Sequence, residues 1–240
     1  MNKLLMNRNK QKKNVEYLSF TQILNNYEVP YSIDSGVLLA LMREGKLFDN
    51  EKDIDIQMWI ENEKILYDIL PVFKSEGYNV TIWCYKGLVY QYRFLHPHKI
   101  PVHIMFFRRY GDWAWCPASK AIGNPFSFRG SQYIYFLFNG VRRRVRNKLV
   151  TTDISRWPWN VRRVVATWWI PAHFFDHIIY DENFEVFIPE KWDEYLQFRY
   201  GNWKISQENW DFWREDGAVV HQKPDQMVNW PDYSPGGEVY

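Results

Sequence analysis

The chain has 240 residues, 46% hydrophobic and 24% charged, a balance that suits a globular protein able to bury a sizeable core. Its formal net charge of +2 gives no overall pull toward nucleic acid or an anionic membrane, and no nucleic-acid motif accompanies it. Cys84 and Cys116 stand in no metal-ligand spacing, which argues against a disulfide scaffold and fits a reducing, cytoplasmic compartment.

The N-terminal MNKLLMNRNKQKKN is basic and has no apolar core long enough for a signal peptide, so residues 1–13 are expected to form a flexible basic arm. No stretch reaches the roughly 20 apolar residues of a membrane span. From Asn14 to Tyr27, Val15, Leu18, Ile23 and Leu24 recur near helical spacing and predict an amphipathic helix. Pro30 then imposes an extended entry to a short strand at Tyr31–Ile33. Asp34-Ser35-Gly36 reads as a small-residue turn, followed by a helical run from Val37 to Met42. A strand is expected at Asp53-Ile54-Asp55-Ile56. Asn62–Glu76 reads as a helix that Pro71 must kink or divide.

Three β-rich runs follow at Tyr78–Tyr85, Leu88–His96 and Pro101–Arg109, the first two joined by a hairpin turn at Lys86-Gly87. Helix-flanked strands followed by a hairpin and another strand predict an α+β domain with a mixed sheet. Beyond Gly111 the pattern weakens. Residues 111–129 read as loop, Tyr133–Phe138 as a short aromatic run, and Val161–Thr167 as a helix continuing toward Trp168. A strand at Phe184–Ile188 precedes a Pro-led helix, Lys191–Tyr200, that stops at Gly201. The expected organisation is one domain over residues 14–213, with a helical, loop-rich C-terminal half and an extended or disordered tail over 214–240.

The chemistry concentrates between Tyr31 and Ile60. Side chains at i and i+2 of a strand share a face, so Asp53 and Asp55 project together while Ile54 and Ile56 enter a core. Two aligned carboxylates repel unless a cation lies between them, and a hard divalent ion is the usual one. A solvated acidic edge strand is the alternative reading. The glycine turn upstream favours the metal site, because a turn opening a helix lets backbone approach a phosphate that the helix N-terminus attracts. Turn, helix start and a nearby Asp-x-Asp strand together resemble the layout of nucleotidyltransferase-fold enzymes.

The stretch SIDSGVLLALMREGKLF…DIDIQMW resembles the LicD/fukutin family, whose pattern is an apolar pair, Asp-x-Gly-Thr/Ser, an Arg, a spacer and Asp-hydrophobic-Asp. VHIMFFRRYGDWAW resembles that family's third-strand motif, and FEVFIPEKWDEYLQFRYGNWKISQ its C-terminal signature. The resemblance implies a nucleotidyltransferase-like fold and transfer of phosphocholine or a polyol phosphate. The donor would be CDP-linked (CDP-choline, CDP-ribitol or similar) and the acceptor a glycan or glycolipid hydroxyl. It implies Mg²⁺ or Mn²⁺ on Asp53 and Asp55, a phosphate-turn role for Gly36, donor binding by Arg43, and a structural role for Tyr200 and Gly201. Two positions depart from the pattern. Val37 replaces the usual Thr or Ser, leaving Ser35 to supply a hydroxyl from the other side of Gly36. His103 stands where a third acid is expected, and serves either as metal ligand or general base, or as a packing residue. Transfer of a nucleoside monophosphate, and a catalytically silent nucleotide- or glycan-binding relative, are the rival readings.

The basic run Arg142, Arg143, Arg144, Arg146 and Lys148 reads as a solvated face, or as a site for an anionic group or the inner membrane face. Trp113, Trp115, Trp168 and Trp169 are candidates for a stacking platform or for core. His96 and His98 receive no role.

Overall fold

The computed structural model describes residues 17–85, 87–121, 150–153, 162–207 and 210–221. Helix α1, described over residues 17–26, buries Tyr17, Phe20 and Leu24; of the other expected apolar positions, Leu18 and Ile23 are half-buried against the same core and Val15 lies outside the described residues. It leads into β1 (Ser32–Ile33), α2 (Ser35–Glu44) and β2 (Ile54–Trp59). Pro71 divides the next helix as expected. α3 (Glu63–Asp68) ends before Ile69, and α4 (Leu70–Ser75) carries Pro71 in its first turn, where a missing N–H costs no helical bond.

Strands β3 (Asn79–Tyr85), β4 (Leu88–His96) and β5 (Lys99–Tyr110) follow as an antiparallel meander. β5 also pairs with β2, in parallel, so the helices and the β3–β4 hairpin together form the connection that a parallel pair requires. The result is an α+β fold with a mixed central sheet flanked by helices. Among the described residues, nine strands belong to this sheet. Seven run in the order Val219–His221, Arg162–Pro171, Trp113–Ala121, β5, β4, β3 and Val150–Asp153, with β2 on β5 and β1 on β2. Ile54, Ile56 and Met58 of β2 pack with Leu38, Leu41, Phe73, Phe94, Ile104 and Phe106 in one apolar core.

Past residue 111 the structure departs from the sequence reading. Residues expected as loop form β6 (Trp113–Ala121), and the expected helix near Val161–Thr167 is β8 (Arg162–Pro171), antiparallel to β6. Gly111 and Pro117 carried the loop reading. Pro117 is accommodated beside a register shift at Ala118/Ser119, where a strand tolerates a missing donor. Trp115 and Cys116, on opposite faces of β6, are both buried, and burial on two faces erases the alternation that marks a strand. The C-terminal half is therefore strand-rich among the described residues, not helical and loop-rich. β7 (Val150–Asp153), β9 (Ile178–Asp181) and β10 (Val186–Pro189) add to it, with α5 (His173–Asp176) between β8 and β9.

α6 (Trp192–Tyr200) ends at Gly201 with φ 63°, as its sequence predicted. Residues 214–221, expected within an extended tail, instead fold back. α7 (Phe212–Glu215) leads through the buried Asp216 to β11 (Val219–His221), which pairs with β8. Residues 1–13, the run Tyr133–Phe138, the basic cluster Arg142–Lys148 and residues 222–240 lie outside the described residues.

Candidate functional site

Strand register builds the centre. Asp55 on β2 lies opposite His103 on β5, and His103 lies opposite Arg93 on β4. On the other side of β2, Ile33 pairs antiparallel with Ile56, and one step on past β1 and back along β2 Asp34 stands beside Asp55, with the Asp34 N–H donating to the Asp55 carbonyl at 3.0 Å. One polar row therefore crosses the sheet: Asp34, Asp55, His103, Arg93. Asp53, just ahead of β2, projects with Asp55 because both stand on the face opposite Ile54 and Ile56.

His103 Nδ1 lies 3.3 Å from Asp53 Oδ2 and 3.7 Å from Asp55 Oδ1. One donor atom from each of the three residues falls within 4.8 Å of the other two. Burial pushes the Asp53 carboxyl above its usual range, and the neighbouring Asp55 charge pushes it further, against the pull of His103, Arg93 and Lys52. Two carboxylates left short of positive charge at the wall of a cleft fit a hard divalent ion such as Mg²⁺ or Mn²⁺.

The cleft, of ≈ 690 Å³, also receives the face of α2 that carries Gly36, Leu39 and Arg43, spaced as neighbours on a helix surface. Arg43 stacks on Phe48 at 5.0 Å and donates to the Trp203 carbonyl at 3.3 Å. A Cβ added at Gly36 would lie 3.5 Å from a Glu51 carboxylate oxygen, so an anionic group already rests beside the first turn of α2. Trp168 is the one member of the expected stacking platform that lines the cleft, where Tyr200, Trp203 and Trp210 join it; Trp115 is core.

The turn that opens α2 is held from below. Asp34 caps the helix by accepting from the Ser35 N–H, and Ser35 adopts φ 54°, a left-handed conformation costing a non-glycine residue about 1 kcal/mol. Such strain persists where surroundings over-determine it. Here those surroundings are Tyr195 and Arg199 of α6. The Tyr195 hydroxyl donates to Asp34, and Arg199 Nη1 donates to Asp34 Oδ1 at 2.8 Å and to the Ser35 hydroxyl at 3.3 Å. Arg199 Nε reaches Asp216 at 3.0 Å, and Nη2 forms a further bond to the same carboxylate. Asp34, Tyr195, Arg199 and Asp216 are all buried, and burial holds the Asp34 carboxyl above its ordinary range even though Arg199 pulls it down.

The structure thus gathers Ser35, Gly36, Arg43, Asp53, Asp55 and His103 along one cleft. Ser35 differs from the sequence expectation in one respect: its hydroxyl is engaged by Arg199. Sequence reasoning missed Arg93, Asp34, Arg199, Tyr195 and Asp216. Arg199 directly precedes Tyr200-Gly201, so the C-terminal motif marked the right helix turn. Asp216 carried no local signal.

No protein-family model matches the chain, and no curated protein matches it. Among solved structures it is similar to "Crystal structure of lincosamide antibiotic adenylyltransferase LnuA, lincomycin-bound", with a TM-score of 0.32 and 18% identity. The similarity covers 46% of this chain and 63% of that one, less than two thirds of its length.

Proposed function

We propose that the chain is a divalent-metal-dependent transferase that moves a phosphorus-linked group from a nucleotide donor to an acceptor hydroxyl. One observation carries this reading: the Asp53–Asp55 pair and the glycine turn at the N-terminus of α2 open into the same cleft. A dipolar helix end and backbone freed by glycine attract phosphate, while paired carboxylates attract the cation that accompanies it. An ion held by Asp53 and Asp55 would neutralise charge on the donor phosphates as the leaving group departs. The protein's own groups do the rest. Gly36 allows close backbone approach, Arg43 adds a cation two helical turns along, and the rings of Tyr200, Trp203 and Trp210 wall the cleft.

The finer reading is that of the LicD/fukutin resemblance. The transferred group is phosphocholine or a polyol phosphate, the donor a CDP conjugate, and the acceptor a glycan or glycolipid met in the cytoplasm or at the inner membrane face. Its support is the ordered sequence motifs, now gathered around one cleft. Transfer of a nucleoside monophosphate is the second reading, since the same pair and turn serve attack at either phosphate.

The products separate the two. Incubation with CDP-choline or CDP-ribitol, Mn²⁺ and a glycan acceptor is expected to release CMP. Release of pyrophosphate from a nucleoside triphosphate would transfer the assignment to the second reading. Asp53→Asn is expected to lose turnover by at least about a hundredfold, as loss of a charge-stabilising group at a reacting centre does. Unchanged metal-dependent turnover in that variant would sink both.

A further inference from the structure

We infer that His103 is a positioning residue that carries its proton on Nδ1, on the side of the ring that faces the aspartate pair, rather than a ligand of the ion. The deciding contact lies behind the ring. Arg93 Nε donates to His103 Nε2 at 3.0 Å, and the Arg93 guanidinium rests 4.8 Å from the centre of the Trp83 ring. A guanidinium carries donors only and keeps its protons in proteins, so the nitrogen facing it presents a lone pair. Neutral imidazole has one acceptor and one donor nitrogen. With Nε2 accepting, the proton sits on Nδ1.

The front of the ring agrees. Nδ1 faces Asp53 Oδ2 at 3.3 Å and Asp55 Oδ1 at 3.7 Å, and ionised carboxylates only accept. The other tautomer would place Nε2–H against the Arg93 N–H and a lone pair against two carboxylates, a conflict at both ends. Binding an ion through Nδ1 demands that tautomer. His103 therefore orients the two carboxylates, the outer-shell role by which histidines and carboxylates elsewhere tune a metal site. Arg93 fixes the ring, since it occupies the position directly opposite His103 on β4.

The tautomer is independent of any ion; the statement about ligation rests on the reading of Asp53 and Asp55 as the ion-holding pair. Long-range ¹H–¹⁵N correlation spectra of protein labelled at histidine read the proton's position directly. The expected result is a protonated Nδ1 and an acceptor Nε2 at His103, before and after addition of Mg²⁺. A proton on Nε2, or its loss from Nδ1 when Mg²⁺ is added, overturns the inference. Calorimetric titration with Mn²⁺ supplies the second arm. His103→Asn keeps an N–H near the Nδ1 position and should weaken binding by about tenfold, as loss of an outer-shell partner does. Asp53→Asn should lose at least about a hundredfold. Equal losses in the two variants would make His103 a ligand. Failure of the native protein to bind Mn²⁺ would remove the ion reading and leave the tautomer result standing.

Discussion

Arg199 is the residue on which most of the buried polar chemistry depends. Its one guanidinium serves two carboxylates, Asp34 and Asp216, with both ion pairs out of solvent. Removing one partner from a buried pair strands the rest as uncompensated charge, at a cost of about 3–5 kcal/mol. Arg199→Met is expected to lose that much in urea unfolding, far more than the exposed pair Lys64–Asp68 would contribute. Asp34 makes a prediction in pH. Its folded carboxyl titrates above the unfolded value, so the folded state holds a proton that the unfolded chain has already released. Stability on this account is greatest below the ordinary carboxylate range and falls as pH rises through the raised folded value, then levels. Comparing unfolding free energies of the native protein and Asp34→Asn across that window should show this slope in the native protein and its absence in the variant. A difference between the two that is flat with pH would contradict it.

At the scale of the element, local signals succeeded where the structure is local. Pro71 divided a helix, and Gly201 ended α6. Gly45 ends α2 in a left-handed conformation with φ 66°, and nothing lies within 4 Å of where its Cβ would be. Gly45→Ala should therefore cost only about 1 kcal/mol, the conformational penalty alone, in a thermal or urea melt. Gly217 contrasts with it. A Cβ there would stand 2.1 Å from the Phe198 carbonyl oxygen, which is backbone of α6 and cannot swing aside. Gly217→Ala should cost about 3 kcal/mol, at the upper end of overpacking penalties, because it parts the Asp216 turn from α6. β6 and β8 were illegible for a related reason. Their pairing partners lie about fifty residues apart in sequence, and Pro117 reads as a breaker unless the neighbouring bulge is known.

For the whole molecule, the candidate centre draws on β2, β4, β5 and α2, with α6 and the Asp216 turn beneath it. Any ligand that binds this assembled centre, and not the unfolded chain, adds to the stability of the fold. Saturating Mn²⁺, at about a hundred times its Kd, is expected to raise unfolding free energy by about 2.7 kcal/mol. Asp53→Asn should abolish that increment while leaving the apo stability nearly unchanged, since the Asp53 side chain is 39% exposed and its neighbour carries like charge. An equal Mn²⁺ increment in both proteins would place the ion elsewhere.

The sequence by itself determined what depends on near neighbours along the chain. The period of α1, the alternation that sends Ile54 and Ile56 inward and Asp53 and Asp55 outward, and the Asp34-Ser35-Gly36 start of α2 are all set within a few residues. It marked six positions that prove to share one cleft. Tertiary structure alone decided which groups stand behind them. Arg93 meets His103 through strand register, and Arg199 reaches Asp34 across 165 residues of chain. Asp216 closes that network from a stretch that reads as tail. Charge compensation in a buried site depends on distance in space, and local pattern carries no record of it.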